Sequence, residues 1–184
     1  MNHFHRHLVR PLILGLALAG APALAVTASA GSATAAPYCG ITWGSLSKSS
    51  SPMTTARITD VRAGEHACYD RLVLDLSGSH QRSGYTVTYV SNVLAEGSGA
   101  VVPLRGGAKL QVTALAPSFT AWANPKELVN VTGYRTFRQV ASAGSFEGYT
   151  TVGLGVRARL PFRVFTLDGP GNGTRLVVDV AHRW

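Results

Sequence analysis

One pattern, Arg-Leu-Val-x-Asp, occurs twice in this chain and constrains the fold more than any other feature. It begins at Arg71 in RLVLDL and at Arg175 in RLVVDV. Successive side chains of a β-strand point to opposite faces, so this alternation predicts two strands with one apolar face each. The side chains expected to face a core are Leu72, Leu74, Leu76, Leu176, Val178 and Val180.

The arginine and aspartate of each copy lie four residues apart, on the face opposite the core. Each can pair with an opposite charge on a neighbouring strand, and this structural role is the favoured interpretation. An exposed pair of this kind stabilises a protein by less than about 1 kcal/mol. The alternative is a catalytic carboxylate pair of Asp75 and Asp179, which would require both in one cleft. The two copies also predict two related halves with equivalent strands.

Further strands are predicted from segments rich in β-branched and aromatic residues, separated by Gly, Pro, Ser and Asn clusters. They are residues 84–94, 108–115, 133–142, 149–158 and 162–168. The dipeptide Asn172-Gly173 is a strong hairpin signal and predicts that the last of these pairs with 174–181. Residues 143–148 are expected to join strand 133–142 to strand 149–158 in the same way.

One short segment favours a helical turn. In NPKELVN, Asn124 suits the N-cap, Pro125 the first helical position and Glu127 the third, as in a capping box. One or two helical turns are expected there and no other helix in the mature chain. With eight or nine short strands, the predicted fold class is all-β: a β-sandwich of two antiparallel sheets with an internal pseudo-repeat and one short helical turn.

The N-terminus has the three-part layout of a secretory signal peptide: a basic leader, an apolar run and a stretch of small residues. This layout predicts export, with cleavage after Ala30 or Ala35. An uncleaved membrane anchor is the alternative, although the apolar run is short for a span. The predicted organisation is a signal peptide over 1–35, an N-terminal connector over 36–56 that is flexible over 44–56, and one domain over 57–184.

Two cysteines, Cys39 and Cys68, follow the predicted signal peptide. An even pair in an exported chain predicts a disulfide, which would tie the connector to the first long strand. A metal site of Cys39, His66 and Cys68 is the alternative, but this spacing lacks a second paired ligand motif. Neither a resident metal nor a cofactor is expected.

The chain is basic, with a formal net charge of +8. Without Arg6 and Arg10 of the leader, 15 basic residues face 9 acidic ones, which leaves +6. The basic residues are scattered and form no tract, so nucleic acid is not an expected partner. An anionic cell envelope suits such a charge, and simple solubility is the alternative.

Several segments together resemble one family. YCGITWGSL, GEHACYDRLVLDLSG, VPLRGGA, GSFEGYTTVGLGVRARLPFRV and the terminal RLVVDVAHRW are similar to the AMIN-like domain of secreted proteins and lipoproteins in actinobacteria. The resemblance extends from Tyr38 to Trp184. It implies a pseudo-symmetric β-sandwich and a non-catalytic module that places cell-wall amidases or secretion machinery at peptidoglycan. The module is expected to stand alone, without a catalytic domain after it.

The candidate wall-ligand contacts are Phe119 and Trp122 in a predicted loop, together with Arg135 and Arg138. Aromatic faces beside arginine suit sugar rings and anionic groups of a glycan; the alternative for Trp122 is a place at the end of the core. Gly153 and Gly155 resemble part of a nucleotide-binding turn, but no helix follows. They are therefore expected to mark a bulge or a close strand crossing.

Three hypotheses for function follow. The leading one is an exported, non-catalytic module that binds the cell envelope, with peptidoglycan or an attached anionic polymer as its partner. The second is a protein-interaction module that localises or regulates an exported cell-wall enzyme. The third is a small hydrolase, for which the sequence offers no motif; His182 is assigned to an edge strand and not to a catalytic dyad.

Overall fold

Strands account for all the regular secondary structure in the computed structural model, which describes residues 37–78 and 80–184. The predicted signal peptide, residues 1–35, lies outside the described residues. The strands are β1 (Lys48–Ser50), β2 (Arg57–Glu65), β3 (Tyr69–Ser77), β4 (Tyr85–Val90), β5 (Val93–Leu94), β6 (Val101–Val102), β7 (Ala108–Ala114), β8 (Phe137–Phe146), β9 (Tyr149–Val156), β10 (Phe162–Asp168) and β11 (Thr174–Ala181).

These strands form two main antiparallel sheets and one small one. The five-stranded sheet has the order β1-β4-β7-β9-β8, and the four-stranded sheet has the order β10-β11-β3-β2. Strands β5 and β6 form a separate hairpin. The prediction of an all-β fold with two antiparallel sheets is confirmed.

The apolar face of the duplicated pattern lies in the core, as predicted. All six of its leucine and valine side chains are buried in one cluster with the inward residues of β7 and β9, such as Leu110 and Leu154. The two sheets therefore pack face to face through these positions, as in other β-sandwiches. The register predicted from the alternation is correct.

The two copies of the pattern lie side by side. Strands β3 and β11 are antiparallel neighbours, and Val73 faces Val177 at the centre of the register. Arg71 consequently faces Asp179, and Asp75 faces Arg175. A repeated sequence that pairs with itself in antiparallel register has a local two-fold axis, and this arrangement is the internal pseudo-repeat.

The predicted helical turn at 124–130 is wrong, because no helix occurs among the described residues. Asn124 does cap a turn: its side chain accepts a hydrogen bond from the Lys126 amide at 3.2 Å. The Pro125 carbonyl, however, accepts from the Ser142 amide at 2.7 Å, and the Leu128 amide donates to the Val140 carbonyl at 2.8 Å. These backbone groups therefore pair with β8 and are not free to continue a helix.

Residues 124–128, the edge segment, thereby cover the free edge of β8. An uncovered edge strand offers unpaired amides and carbonyls to other chains, and proteins commonly cover such edges with loops. The edge segment also forms one wall of the site described below.

The connector predicted over 36–56 contains part of the sandwich. Lys48–Ser50 form β1, which pairs with β4 in the register Lys48 to Val87. Trp43 and Thr54 in the same region are buried. The prediction that 44–56 is flexible is therefore wrong for β1. This edge strand consists of serine and lysine, which do not indicate a strand, and its partner β4 lies far along the chain.

The long connection between β4 and β7 crosses the outer face of the five-stranded sheet. Residues 91–107, the crossing segment, include the β5–β6 hairpin and pass over β9 at Gly153 and Gly155. A Cβ at Gly153 would lie 2.7 Å from Leu104 Cδ1, and a Cβ at Gly155 would overlap the Arg105 carbonyl oxygen. The prediction that these glycines mark a close crossing is confirmed.

Candidate functional site

Three depressions follow one another along β8. The central one is the largest, with a volume of 610 Å³. The crossing segment forms one wall, the edge segment forms the other and β8 forms the floor. The lining residues are Val101–Arg105 on the first wall, Pro125 and Lys126 on the second, and Gln139, Ala141 and Ser142 on the floor.

Gln139 holds the two walls of the central depression together. Its side-chain oxygen accepts a hydrogen bond from the Arg105 amide at 2.7 Å, and its side-chain nitrogen donates to the Lys126 carbonyl at 2.9 Å. Gln139 is itself buried. Since both ends of the amide are satisfied by backbone groups, the depression is formed before any ligand binds.

The charged groups at this depression are cationic and differ in their availability. Arg105 forms an ion pair of 2.5 Å with Glu127, and this hydrogen bond raises the pKa of Arg105. Lys126 is exposed, and its ammonium group has no hydrogen bond or ion pair within the described part of the chain. The rim therefore offers one paired and one free positive charge.

The depressions on either side share lining residues with the central one. Towards the start of β8, Arg105 also lines a space of 380 Å³ with Tyr134 and Arg138. Burial raises the pKa of Tyr134, and the carboxylates of Asp70 and Glu65 raise it further. Towards the end of β8, Ser142 also lines a space of 280 Å³.

The predicted aromatic contacts lie together in this last depression. Phe119 and Trp122 both line it. Phe119 is 75% exposed, with the Arg57 guanidinium 4.9 Å from its ring centre. Trp122 is partly buried and packs against the core, so its side chain serves both the core and the depression.

The predicted arginines are not beside these aromatics. Arg138 lies at the opposite end of the row, where its guanidinium donates to the Tyr134 carbonyl at 2.9 Å and the Phe137 carbonyl at 2.8 Å. Arg135 forms an ion pair of 3.4 Å with Glu65. The cation that accompanies Phe119 is instead Arg57 from β2.

The central depression was not predicted from the sequence. Val101–Arg105, Lys126 and Gln139 come from three separate parts of the chain and meet only in the folded protein. The apolar run VVPL at 101–104 was the available signal in the sequence. In the folded protein its Val101 side chain is exposed.

Cys39 and Cys68 are bonded as predicted, with 6.4 Å between their Cα atoms. Both thiols are thereby used, so the alternative metal site with His66 is not formed. One other group among the described residues brings potential ligand atoms within 4.8 Å of one another, namely Glu65, Asp70 and His182.

Two members of that group form a buried hydrogen-bonded pair. His182 Nε2 lies 2.9 Å from Asp70 Oδ1, and the other Asp70 oxygen accepts from the Thr136 and Phe137 amides at 2.6 and 2.9 Å. The pair joins the C-terminal end to the starts of β3 and β8. The assignment of His182 to an edge strand is wrong, because β11 lies between β10 and β3.

Asp75 and Asp179 do not form a carboxylate pair. Asp179 is fully buried and binds two arginines, Arg71 at 2.7 Å and Arg163 at 2.8 Å. Asp75 binds Arg62 at 2.5 Å. Asp75 pairs in register with Arg175, four residues from Asp179, so the two carboxylates are about 13 Å apart along the strands. Arg71, Asp75 and Asp179 have the predicted partners of opposite charge on neighbouring strands. Arg175 does not, because its guanidinium donates to the Asp168 carbonyl at 2.8 Å. Asp179 is fully buried, so the small contribution expected of an exposed pair does not apply to it.

The fold is thus a β-sandwich of two antiparallel sheets with surface depressions along one strand. The chain belongs to the AMIN-like domain family, whose model matches residues 56–182. Comparison with curated proteins and with solved structures gave no significant match. AMIN-like domains are in general non-catalytic, and membership supports a cell-wall-associated binding module.

The described residues also bear on location. Membership of the AMIN-like family and the disulfide between Cys39 and Cys68 are consistent with an extracytoplasmic protein. Within residues 37–78 and 80–184 there is no helix capable of crossing a membrane.

Proposed function

We propose that the protein is an exported, non-catalytic module that binds peptidoglycan or an attached anionic wall polymer through the row of depressions along β8. Membership of the AMIN-like family carries this proposal. The predicted signal peptide and the disulfide support export.

The form of the site supports a polymeric ligand. Three depressions in succession along one strand can contact several units of a chain, whereas one enclosed pocket contacts a single small molecule. From Phe137 to Ser145 the strand extends over about 25 Å. Aliphatic, cationic and aromatic groups follow one another along this length, which suits a ligand of mixed chemistry.

The charge of the protein supports an anionic ligand. The sequence without the predicted leader carries a formal charge of +6, and Lys126 is a free cation at the centre of the row. Attraction between a basic protein and a fixed anionic polymer is long-ranged at low salt and weakens as salt screens it.

A second function has one specific observation in its favour. Phe146 and Tyr149, at the β8–β9 turn, are exposed, as are Leu94 and Val101 on the β5–β6 hairpin. Exposed apolar side chains at the ends of a domain are typical of protein contact surfaces. A module that localises or regulates an exported cell-wall enzyme would use them.

The proposal is tested by sedimentation of the mature protein with purified cell walls at 0.1 M and 1 M salt. Binding is expected at low salt and is expected to weaken at 1 M, where the Debye length falls from about 10 Å to about 3 Å. Phe119→Ala should reduce the binding that persists at 1 M salt, because contact of an aromatic face with a sugar is not screened.

Leu46→Ala is the matched control, since Leu46 is 78% exposed and lines none of the three depressions. Absence of binding at 0.1 M salt would reject the wall ligand and favour the protein-interaction function. Release of soluble fragments from the walls by the pure protein would reject the non-catalytic assignment.

A further inference from the structure

The central depression differs chemically from its aromatic neighbour. Its lining is aliphatic and cationic and contains no aromatic residue. The adjoining depression contains Phe119 and Trp122 but no charged residue. Two neighbouring spaces with such different linings are suited to two different parts of a ligand.

We infer that the central depression binds the peptide part of the wall polymer, namely a short peptide with small aliphatic side chains and a free carboxylate. This inference rests on the proposed function. The aromatic depression then remains for the sugar part, and Ser142, which lines both, marks the place where the two parts of the ligand meet.

The carboxylate is assigned from the positive charges at the rim. Lys126 has no partner within the described part of the chain, whereas Arg105 is already bound to Glu127 and to the Arg138 carbonyl. A carboxylate placed between the walls would therefore meet Lys126 first. A charge-assisted hydrogen bond between ammonium and carboxylate is stronger than a neutral one.

The aliphatic part of the peptide is assigned from the walls. Val101, Val102, Pro103 and Leu104 form one wall and Pro125 contributes to the other. The volume of 610 Å³ lies in the range of sites for small molecules. Methyl groups of alanine-sized side chains would be removed from water against these walls.

The depression is rigid enough to select such a peptide. Gln139 fixes the distance between the walls through two backbone hydrogen bonds. Two backbone hydrogen bonds fix the edge segment on β8. The Ser142 amide donates to the Pro125 carbonyl, and the Leu128 amide donates to the Val140 carbonyl. Since the walls are held before binding, little ordering is required when the peptide enters.

The test is an NMR titration of the mature protein with acetyl-L-lysyl-D-alanyl-D-alanine. The acid is expected to shift the amide signals of 101–105 and Lys126. The C-terminal amide of the same peptide should bind about fivefold more weakly, because it lacks the negative charge of the terminal carboxylate. An N-acetylglucosamine tetramer should shift signals around Phe119 and leave 101–105 unchanged.

Two variants with matched controls separate charge from apolar contact. Lys126→Met should weaken the acid about fivefold and leave the amide unchanged, while Lys109→Met, outside the row, changes neither. Val101→Ser should weaken both peptides. Leu94→Ser, its cross-strand partner outside the lining, should not.

The outcomes distinguish this inference from the proposed function. Binding to whole walls without any response of 101–105 to the peptide overturns the inference and leaves the proposed function standing. Failure to bind whole walls overturns the proposed function itself, and with it the peptide assignment. If the all-L tripeptide binds as tightly as the D-alanyl peptide or more tightly, the ligand is the C-terminus of a protein and not a wall peptide.

Discussion

Asp70 joins the start of β3, the start of β8 and the C-terminal end of the chain. It is fully buried at the start of β3, and its carboxylate forms hydrogen bonds with the Thr136 and Phe137 amides and with the imidazole of His182. A buried charge is stabilising only when its oxygens are satisfied by donors. Here two amides donate to it and the His182 imidazole forms a third hydrogen bond with it, and all three residues lie 66 or more positions away.

Asp70→Ala should lower the free energy of unfolding by at least about 3 kcal/mol, because it leaves two amides and an imidazole nitrogen buried without partners. Urea denaturation followed by tryptophan fluorescence measures this change. Asp60→Ala is the control: Asp60 is exposed and its ion pair with Arg62 spans 4.0 Å, so its loss should cost less than about 1 kcal/mol. Equal effects of the two substitutions would refute a special role for Asp70.

At the scale of elements, the crossing segment is the feature that gives the central depression its wall. Its backbone lies directly on β9, where Gly153 and Gly155 lack the side chains that would hold it off. The contacts at the two glycines differ in kind. Gly155 meets the Arg105 backbone carbonyl, whereas Gly153 meets the flexible end of Leu104.

Gly155→Ala should therefore be far more damaging than Gly153→Ala. We expect a loss of about 3 kcal/mol or more, or displacement of the crossing segment, because a backbone group must move. Gly153→Ala requires Leu104 to shift and should cost about 1 kcal/mol. Denaturation gives the stabilities, and limited proteolysis within 91–107 reports displacement. A similar outcome for both would show that the crossing is looser than the structure indicates.

The elements also show what local sequence patterns can and cannot predict. Strict alternation identified β3 and β11 and their core faces, because both strands are regular. Strand β2 was not predicted: its register shifts between Ile58 and Asp60, so the buried Ile58 and Val61 lie three residues apart and hide the two-residue period.

Turns show the same limit. Asn172-Gly173 does not form a two-residue turn; the Gly169 amide donates to the Gly173 carbonyl across a longer loop. The tight turn lies at Glu147-Gly148, where both residues have positive φ. The pairing of β10 with β11 was nevertheless correct, since the alternation of the flanking strands sets it.

The candidate site was the least predictable part. Phe119 and Trp122 were placed together because they are close in sequence. Tertiary packing brings Arg57 to Phe119 and brings Gln139 and Lys126 into the central depression. Nothing in the local sequence of these residues records either arrangement. The predicted contacts therefore fall in the two outer depressions, with Phe119 and Trp122 in one and Arg138 in the other, and none of them lines the central depression.

At the scale of the whole molecule, both termini of the described chain are fixed at the start of β3. The disulfide joins Cys39 to Cys68 there, and the His182 amide donates to the Cys68 carbonyl at 2.9 Å. Neither cysteine lines any of the three depressions. Stability and ligand binding should therefore be separable through this bond.

Replacement of both cysteines, Cys39→Ser with Cys68→Ser, should lower the free energy of unfolding by about 3–4 kcal/mol. The bond links residues 29 positions apart, and its loss restores the conformational freedom of that loop in the unfolded chain. Urea denaturation measures the change, and binding to purified walls at a temperature where the variant is folded should stay within about twofold of the wild type.

The wild-type protein treated with reducing agent is the control and should match the double variant in stability. A folded double variant that no longer binds walls would show that the N-terminal segment belongs to the binding surface, and an unchanged stability would show that the β1 and Trp43 contacts alone hold this segment in place.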